Sequence, residues 1–235
     1  MKSISVVAFA AAVLVSGGAF AADLQIPATP DKAMAMAVPS TWDGFYAGVN
    51  AGYGWNNRTG DWAFAGAPGS GATFNYNLAG GLIGAQAGFN YTLSDSLVVG
   101  VQVDADFANL TGSIPANDPG LNGGNGQVNW LASATAKLGY TTGNLLVYVD
   151  GGYAMANYQY KSYTACNVDQ TNGGFAAGVG ASYKFTKNIS GDLNYQHIWL
   201  ANTTSTCTAF GVIPLDVTTQ GSLDVVKAGL NYHFD

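Results

Sequence analysis

The sequence predicts an all-β protein, an eight-stranded antiparallel up-and-down transmembrane β-barrel, from three observations. Apolar residues recur at every second position through eight segments, the period of a strand with one greasy face. The connections between those segments alternate short and long, as in barrels that cross an outer membrane. Nearly every strand charge falls on one phase of the alternation, while aromatic residues gather at the two ends of the other.

The first segment shows the pattern. From Gly44 to Asn56 the odd positions Phe45, Ala47, Val49, Ala51, Tyr53 and Trp55 are apolar, and the even ones are Gly, Tyr46 or Asn. The same period runs through Ile83 to Tyr91, Leu97 to Phe107, Val128 to Tyr140, Leu145 to Tyr153, Phe175 to Phe185, Ile189 to Tyr195 and Val226 to Phe234. Short turns join the second and third segments at Ser94-Asp-Ser96, the fourth and fifth at Thr141-Thr-Gly-Asn144, and the sixth and seventh at Thr186-Lys-Asn188. Long Gly/Asn/Thr-rich loops are expected at about 57–76, 109–126, 161–172 and 201–221.

A soluble lipocalin-like barrel shares this alternation, so the positions of charge and aromatic residues separate the two readings. Asp104, Asp106, Lys137, Asp150, Lys184, Asp192 and Lys227 all lie opposite the apolar phase. On the apolar phase, Phe45, Phe89, Tyr91, Tyr140, Tyr183, Phe185, Tyr232 and Phe234 mark the short-turn end. Tyr53, Trp55, Phe107, Trp130, Tyr153, Phe175 and Trp199 mark the long-loop end. Two aromatic girdles around a Val/Ala band match a surface that meets lipid, with the rings at headgroup level. Glycines on the polar phase leave room in a narrow interior, which is read as a plug rather than a channel.

Composition agrees. Charged residues are 9% of the 235, against roughly 25% in soluble domains. All 14 acidic residues are Asp and only 8 residues are Lys or Arg, so two of the best helix-supporting residue types are scarce. The net charge of −6, with no basic cluster, excludes a nucleic-acid partner. Residues 1–21 read as a signal peptide, with Lys2, an apolar run from Ile4 to Val15, and Ala19-Phe-Ala21 before the cleavage point. Residues 22–41, with Pro27, Pro30 and Pro39, read as a flexible periplasmic arm, and 42–235 as the barrel domain.

The inward charges are the candidate site. Strand neighbourhood suggests Lys184 with Asp192, Lys137 with Asp150 or Asp104, and Lys227 with Asp192. A buried salt-bridge network that holds the interior together is the expected role, and a gate for small solutes is the alternative. Cys166 and Cys207 lie in polar, turn-rich segments of an exported chain, so a disulfide between two long loops is expected. The two histidines, His197 and His233, read as rim residues without a recognisable second haem ligand. An enzyme is not expected, since a nucleophilic Ser would have to use one of those histidines and no Gly-x-Ser-x-Gly elbow occurs. No cofactor or metal site is expected.

The opening Trp42-Asp-Gly-Phe-Tyr-Ala-Gly-Val-Asn-Ala-Gly-Tyr-Gly-Trp55, the run Gly80-Gly-x-x-Gly-Ala-Gln-Ala-Gly-Phe-Asn-Tyr91 and the aromatic C-terminus carry a resemblance. The chain resembles the small eight-stranded outer-membrane proteins of Gram-negative bacteria, of the alphaproteobacterial immunogenic, surface-antigen type. The resemblance implies a structural and surface role at the cell outer membrane, among outer-membrane lipid and lipopolysaccharide. Small-solute permeability or haemin binding is the alternative, and a lipid-modifying enzyme comes third. It implies an OmpA-like transmembrane barrel without the periplasmic domain, and no catalytic set. It also makes Gly229, Tyr232 and Phe234 a signal for the barrel assembly machinery, with Asp235 a departure because many relatives end on the aromatic residue.

Overall fold

A computed structural model describes residues 42–71, 73–114, 123–162, 167–209 and 212–234. The expected signal peptide and arm lie outside the described residues. The strands are β1 (Gly44–Phe64), β2 (Thr73–Ser94), β3 (Leu97–Ile114), β4 (Gly124–Thr142), β5 (Leu145–Ser162), β6 (Asn167–Lys184), β7 (Ile189–Ala209) and β8 (Ile213–Phe234). Each pairs antiparallel with its sequence neighbour, and β8 pairs with β1 to close the barrel. Closure starts at Phe45 opposite Phe234 and leaves no sheet edge open. In hydrocarbon this is the sheet arrangement that satisfies every backbone N–H and C=O.

The outward face is apolar. Val49, Ile83, Val101, Val103, Val149, Leu193 and Leu230 are all exposed there, in a band between the two girdles. Phe45, Tyr140, Phe185 and Phe234 are exposed at one end of the band, and Tyr53, Phe107, Phe175 and Trp199 at the other. In water such a surface would be a large exposed patch; around a barrel it is the surface that lipid covers.

The strands are longer than their apolar stretches suggest. They run 18 to 22 residues, whereas about 9–11 cross a membrane. Much of the sequence expected as long loops is therefore paired strand: β1 continues to Phe64 and β2 begins at Thr73, and β7 continues to Ala209 before β8 begins at Ile213. The extensions carry polar cross-strand pairs instead of an apolar phase. Thr73 Oγ1 donates to Asp61 (2.5 Å), Thr206 Oγ1 to Asp216 (2.7 Å), and Asn157 Nδ2 to Asp169 (2.8 Å). Such pairs stabilise a sheet that has water on its outer side.

Three bulges reset the phase near the loop end. Register shifts fall between Phe107 and Leu110, between Val128 and Trp130, and between Leu200 and Thr203. A bulge puts one extra residue into a strand and re-aims the side chains beyond it. Val128, expected on the outward phase with Trp130, is therefore inside and fully buried.

Candidate functional site: the barrel interior

The interior is built in storeys. At the turn end, Trp42 packs with Val98, Leu146 and Tyr148, and its Nε1 donates to the Gly143 carbonyl in the β4–β5 turn (3.2 Å). Gly143 has φ +63, a conformation that glycine adopts without steric penalty. Lys184 lies with its ammonium 5.3 Å from the Trp42 ring centroid.

The middle storey holds the other predicted charges. Lys227 Nζ contacts the Asp104 carboxylate and lies 3.4 Å from Asp106 Oδ2, and Ser133 Oγ donates to the second oxygen of Asp104 (2.8 Å). Lys137 Nζ donates to Gln102 Oε1 (2.5 Å), which also accepts from Tyr46 OH (2.7 Å). The same ammonium sits 4.2 Å from the Tyr148 ring centroid. Tyr148 OH donates to Asp192 (2.9 Å), as does Ser182 Oγ (2.5 Å). Asp150 accepts from Asn194 Nδ2 (2.7 Å) and Gln196 Nε2 (3.1 Å). All seven predicted charges thus lie in the lumen, six of them buried and Lys137 half-buried.

Their pairing differs from strand neighbourhood. Lys227 meets Asp104 and Asp106 rather than Asp192, because glycines on the intervening strands let a long side chain cross instead of lying along its own wall. An added Cβ at Gly84 would overlap Asp106, and one at Gly52 would press on Lys227. Lys137 is in register with Asp150, yet its ammonium bonds to Gln102 and rests on an aromatic face. Asp150 and Asp192 are satisfied by neutral amide and hydroxyl donors, which a pairing of opposite charges by register does not anticipate.

Above the charges lies an apolar storey that the polar phase did not announce. Leu78, Leu110, Val128, Leu131, Ile198, Leu223 and Val225 each keep 2% exposure or less and form one cluster inside the barrel. Leu82-Ile83, Trp130-Leu131 and Val225-Val226 are its sequence signal: adjacent apolar residues mark a strand covered on both faces. Toward the loop end, a cavity of about 30 Å³ remains, lined in part by Tyr76, Leu78, Tyr158 and Val217.

Gly229 faces inward beside Gln86, while Tyr232 and Phe234 are exposed on the outer face with ring centroids 5.1 Å apart. Cys207 is half-buried on β7 against the apolar cluster; Cys166 lies outside the described residues. His233 is buried rather than at the rim, its Nε2 2.9 Å from Ser190 Oγ. His197 is on the outer face at the loop-end girdle, paired with Asp224, an outward charge that the sequence reading missed.

A closed antiparallel barrel with an aliphatic belt outside, aromatic rings at both margins and polar groups within defines an outer-membrane β-barrel protein. The chain belongs to the outer membrane protein beta-barrel domain family, whose model matches residues 7–234. It is 30% identical to the 31 kDa outer-membrane immunogenic protein of Brucella melitensis, over 100% of both chains. It is 28% identical to the 25 kDa outer-membrane immunogenic protein of Brucella canis, over 100% of this chain and 99% of that one. Among solved structures, the outer membrane protein OprG of Pseudomonas aeruginosa shares the fold at 14% identity, with a TM-score of 0.55 over 82% of this chain and 97% of that one. The protein is accordingly placed in the outer membrane.

Proposed function

We propose that this barrel is a non-enzymatic, non-conducting structural and surface component of the outer membrane. One observation supports the reading: the buried charges and the apolar cluster above them lie inside the barrel, one storey over the other. The cavity of about 30 Å³ near the loop end has room for water but not for a sugar. Hydrated ions and sugars need a continuous wet path, and buried Leu131, Ile198 and Leu223 stand across it.

The strand extensions and the connections between them carry the exposed surface, in keeping with relatives that are named immunogenic. The outer belt takes lipid, lipopolysaccharide meets the loop-end girdle, and the exposed Tyr232 and Phe234 are the handle for the assembly machinery. The proposal is tested by swelling of proteoliposomes in small sugars. No swelling above lipid alone is expected, whereas swelling that scales with protein content overturns it.

A further inference from the structure

Beyond the loop-end girdle, β3, β4 and β5 carry a polar grid on the outer face. Register sets Thr111 beside Gln127 and Gln127 beside Gln159; one step further, Ser113 stands beside Asn125 and Asn125 beside Lys161. Leu110, Val128 and Tyr158, which alternate with them along the same strands, are buried, so the six side chains of the grid point away from the lumen. An open hollow of about 520 Å³ lies over them, within the size range of ligand pockets. Thr111, Ser113 and Asn125 make no side-chain hydrogen bond to the protein among the described residues. Lys161 forms no ion pair among them either: Asp169, on β6, has its two oxygens taken by Asn157 Nδ2 (2.8 Å) and Gln159 Nε2 (2.9 Å). Half-way round the barrel the outer face is acidic instead. Asp61 on β1 and Asp216 and Asp224 on β8 face outward there, alternating with the inward Trp62, Leu215, Val217, Leu223 and Val225.

Depth decides what the grid meets. Trp130 on β4 marks the girdle, and at a rise of about 3.3 Å per residue along a strand tilted by about 40° the grid stands on the order of 10 Å beyond it. The headgroup layer of a bilayer adds only about 6 Å on each side, so the grid lies outside it. A lipopolysaccharide whose acyl chains lie against the girdle carries its inner sugars up along this face, and the inference rests on that placement of lipopolysaccharide. Sugar hydroxyls donate and accept hydrogen bonds, which suits amides and hydroxyls that do both. The inner sugars also carry phosphate or carboxylate groups, and one ammonium without a counter-ion on the protein complements them. On β1 and β8 the outward carboxylates repel the same groups, so the docking is confined to one side of the barrel.

We propose that Thr111, Ser113, Asn125, Gln127, Gln159 and Lys161 form an outward docking face for the anionic inner sugars of lipopolysaccharide. The full barrel, immobilised in detergent at low salt, is exposed to equal amounts of lipid A bearing its inner core sugars, lipid A alone and a glycerol-headgroup phospholipid, and the bound lipids are counted by mass spectrometry. Retention of the core-bearing form about fivefold above lipid A is expected, the upper weight of one exposed ion pair. The ratio should fall toward parity in Lys161→Gln and, in the unaltered protein, at high salt, which screens exposed charges. Asp216→Asn, on the acidic side, should leave it in place. Lipid A retained above phospholipid without preference for the core overturns this face alone and leaves the girdle placement standing; neither form retained above phospholipid removes both. A preference that survives Lys161→Gln, that high salt leaves undiminished, or that Asp216→Asn abolishes also overturns the proposal.

Discussion

Lys227 on β8 meets Asp104 on β3 across the lumen, with β1 and β2 between them in the wall. One ammonium thereby serves two buried carboxylates, since Asp106 Oδ2 lies 3.4 Å from it. Lys227→Met leaves both carboxylates in the interior without their cation, which costs about 3–5 kcal/mol when a buried pair is broken. Urea unfolding in detergent micelles should show that loss. Adding Asp104→Asn to Lys227→Met should restore part of it; a double variant no more stable than the single one would count against the pairing.

Gly88 and Gly180, which face the interior rings of Tyr46 and Tyr148, set a limit of packing. An added Cβ at Gly180 would overlap the Tyr148 ring, whose hydroxyl holds Asp192. Gly180→Val is expected to lower stability by about 1–3 kcal/mol, the usual cost of overpacking. Gly151 faces outward, with only the Ala176 carbonyl oxygen 3.7 Å from an added Cβ, so Gly151→Ala should leave the unfolding midpoint in place. Equal damage from both changes would remove the argument.

Cys207 sits near the loop end of β7, and Cys166 falls in the connection between β5 and β6. A bridge between them keeps the unfolded chain compact, so denatured protein should migrate faster on gels without reductant than with it. Identical migration, or reaction of both thiols with maleimide in unreduced protein, speaks against the bridge.

Phe234 is the last girdle residue of β8 and the register partner of Phe45, so it marks the seam where the barrel closes. Phe234→Ala should slow assembly and increase the unfolded form on unheated gels, while deletion of Asp235 should not. Normal assembly of the Phe234 variant rules out its role as a signal.

What was legible in the sequence follows the solvent on each face. Lipid imposes a strict period of two, so the apolar phase from Phe45 to Trp55 and from Val226 to Phe234 placed the strands, the girdles and the seam. Beyond the membrane the outer face meets water. There Thr73, Asn75, Thr204 and Thr206 pair across strands without a pattern that distinguishes strand from loop. Bulges hid the inward turn of Val128, because a single extra residue reverses the phase. Charges were legible by face but not by partner: a lumen is crossed as readily as it is followed, so Lys227 found Asp104 rather than Asp192. Asp224 escaped because one carboxylate on an apolar phase carries no period at all.

The proposed function requires a lumen that does not conduct. Single-channel recording in planar bilayers tests it most directly, on the unaltered protein and on Lys137→Ala, which removes the ammonium shared by Gln102 and the Tyr148 ring. A baseline indistinguishable from lipid alone is expected in both, with Lys137→Ala unfolding at a lower temperature. Stable open-channel steps in the unaltered protein, or a large conductance released by Lys137→Ala, would contradict it and make the charge network a gate.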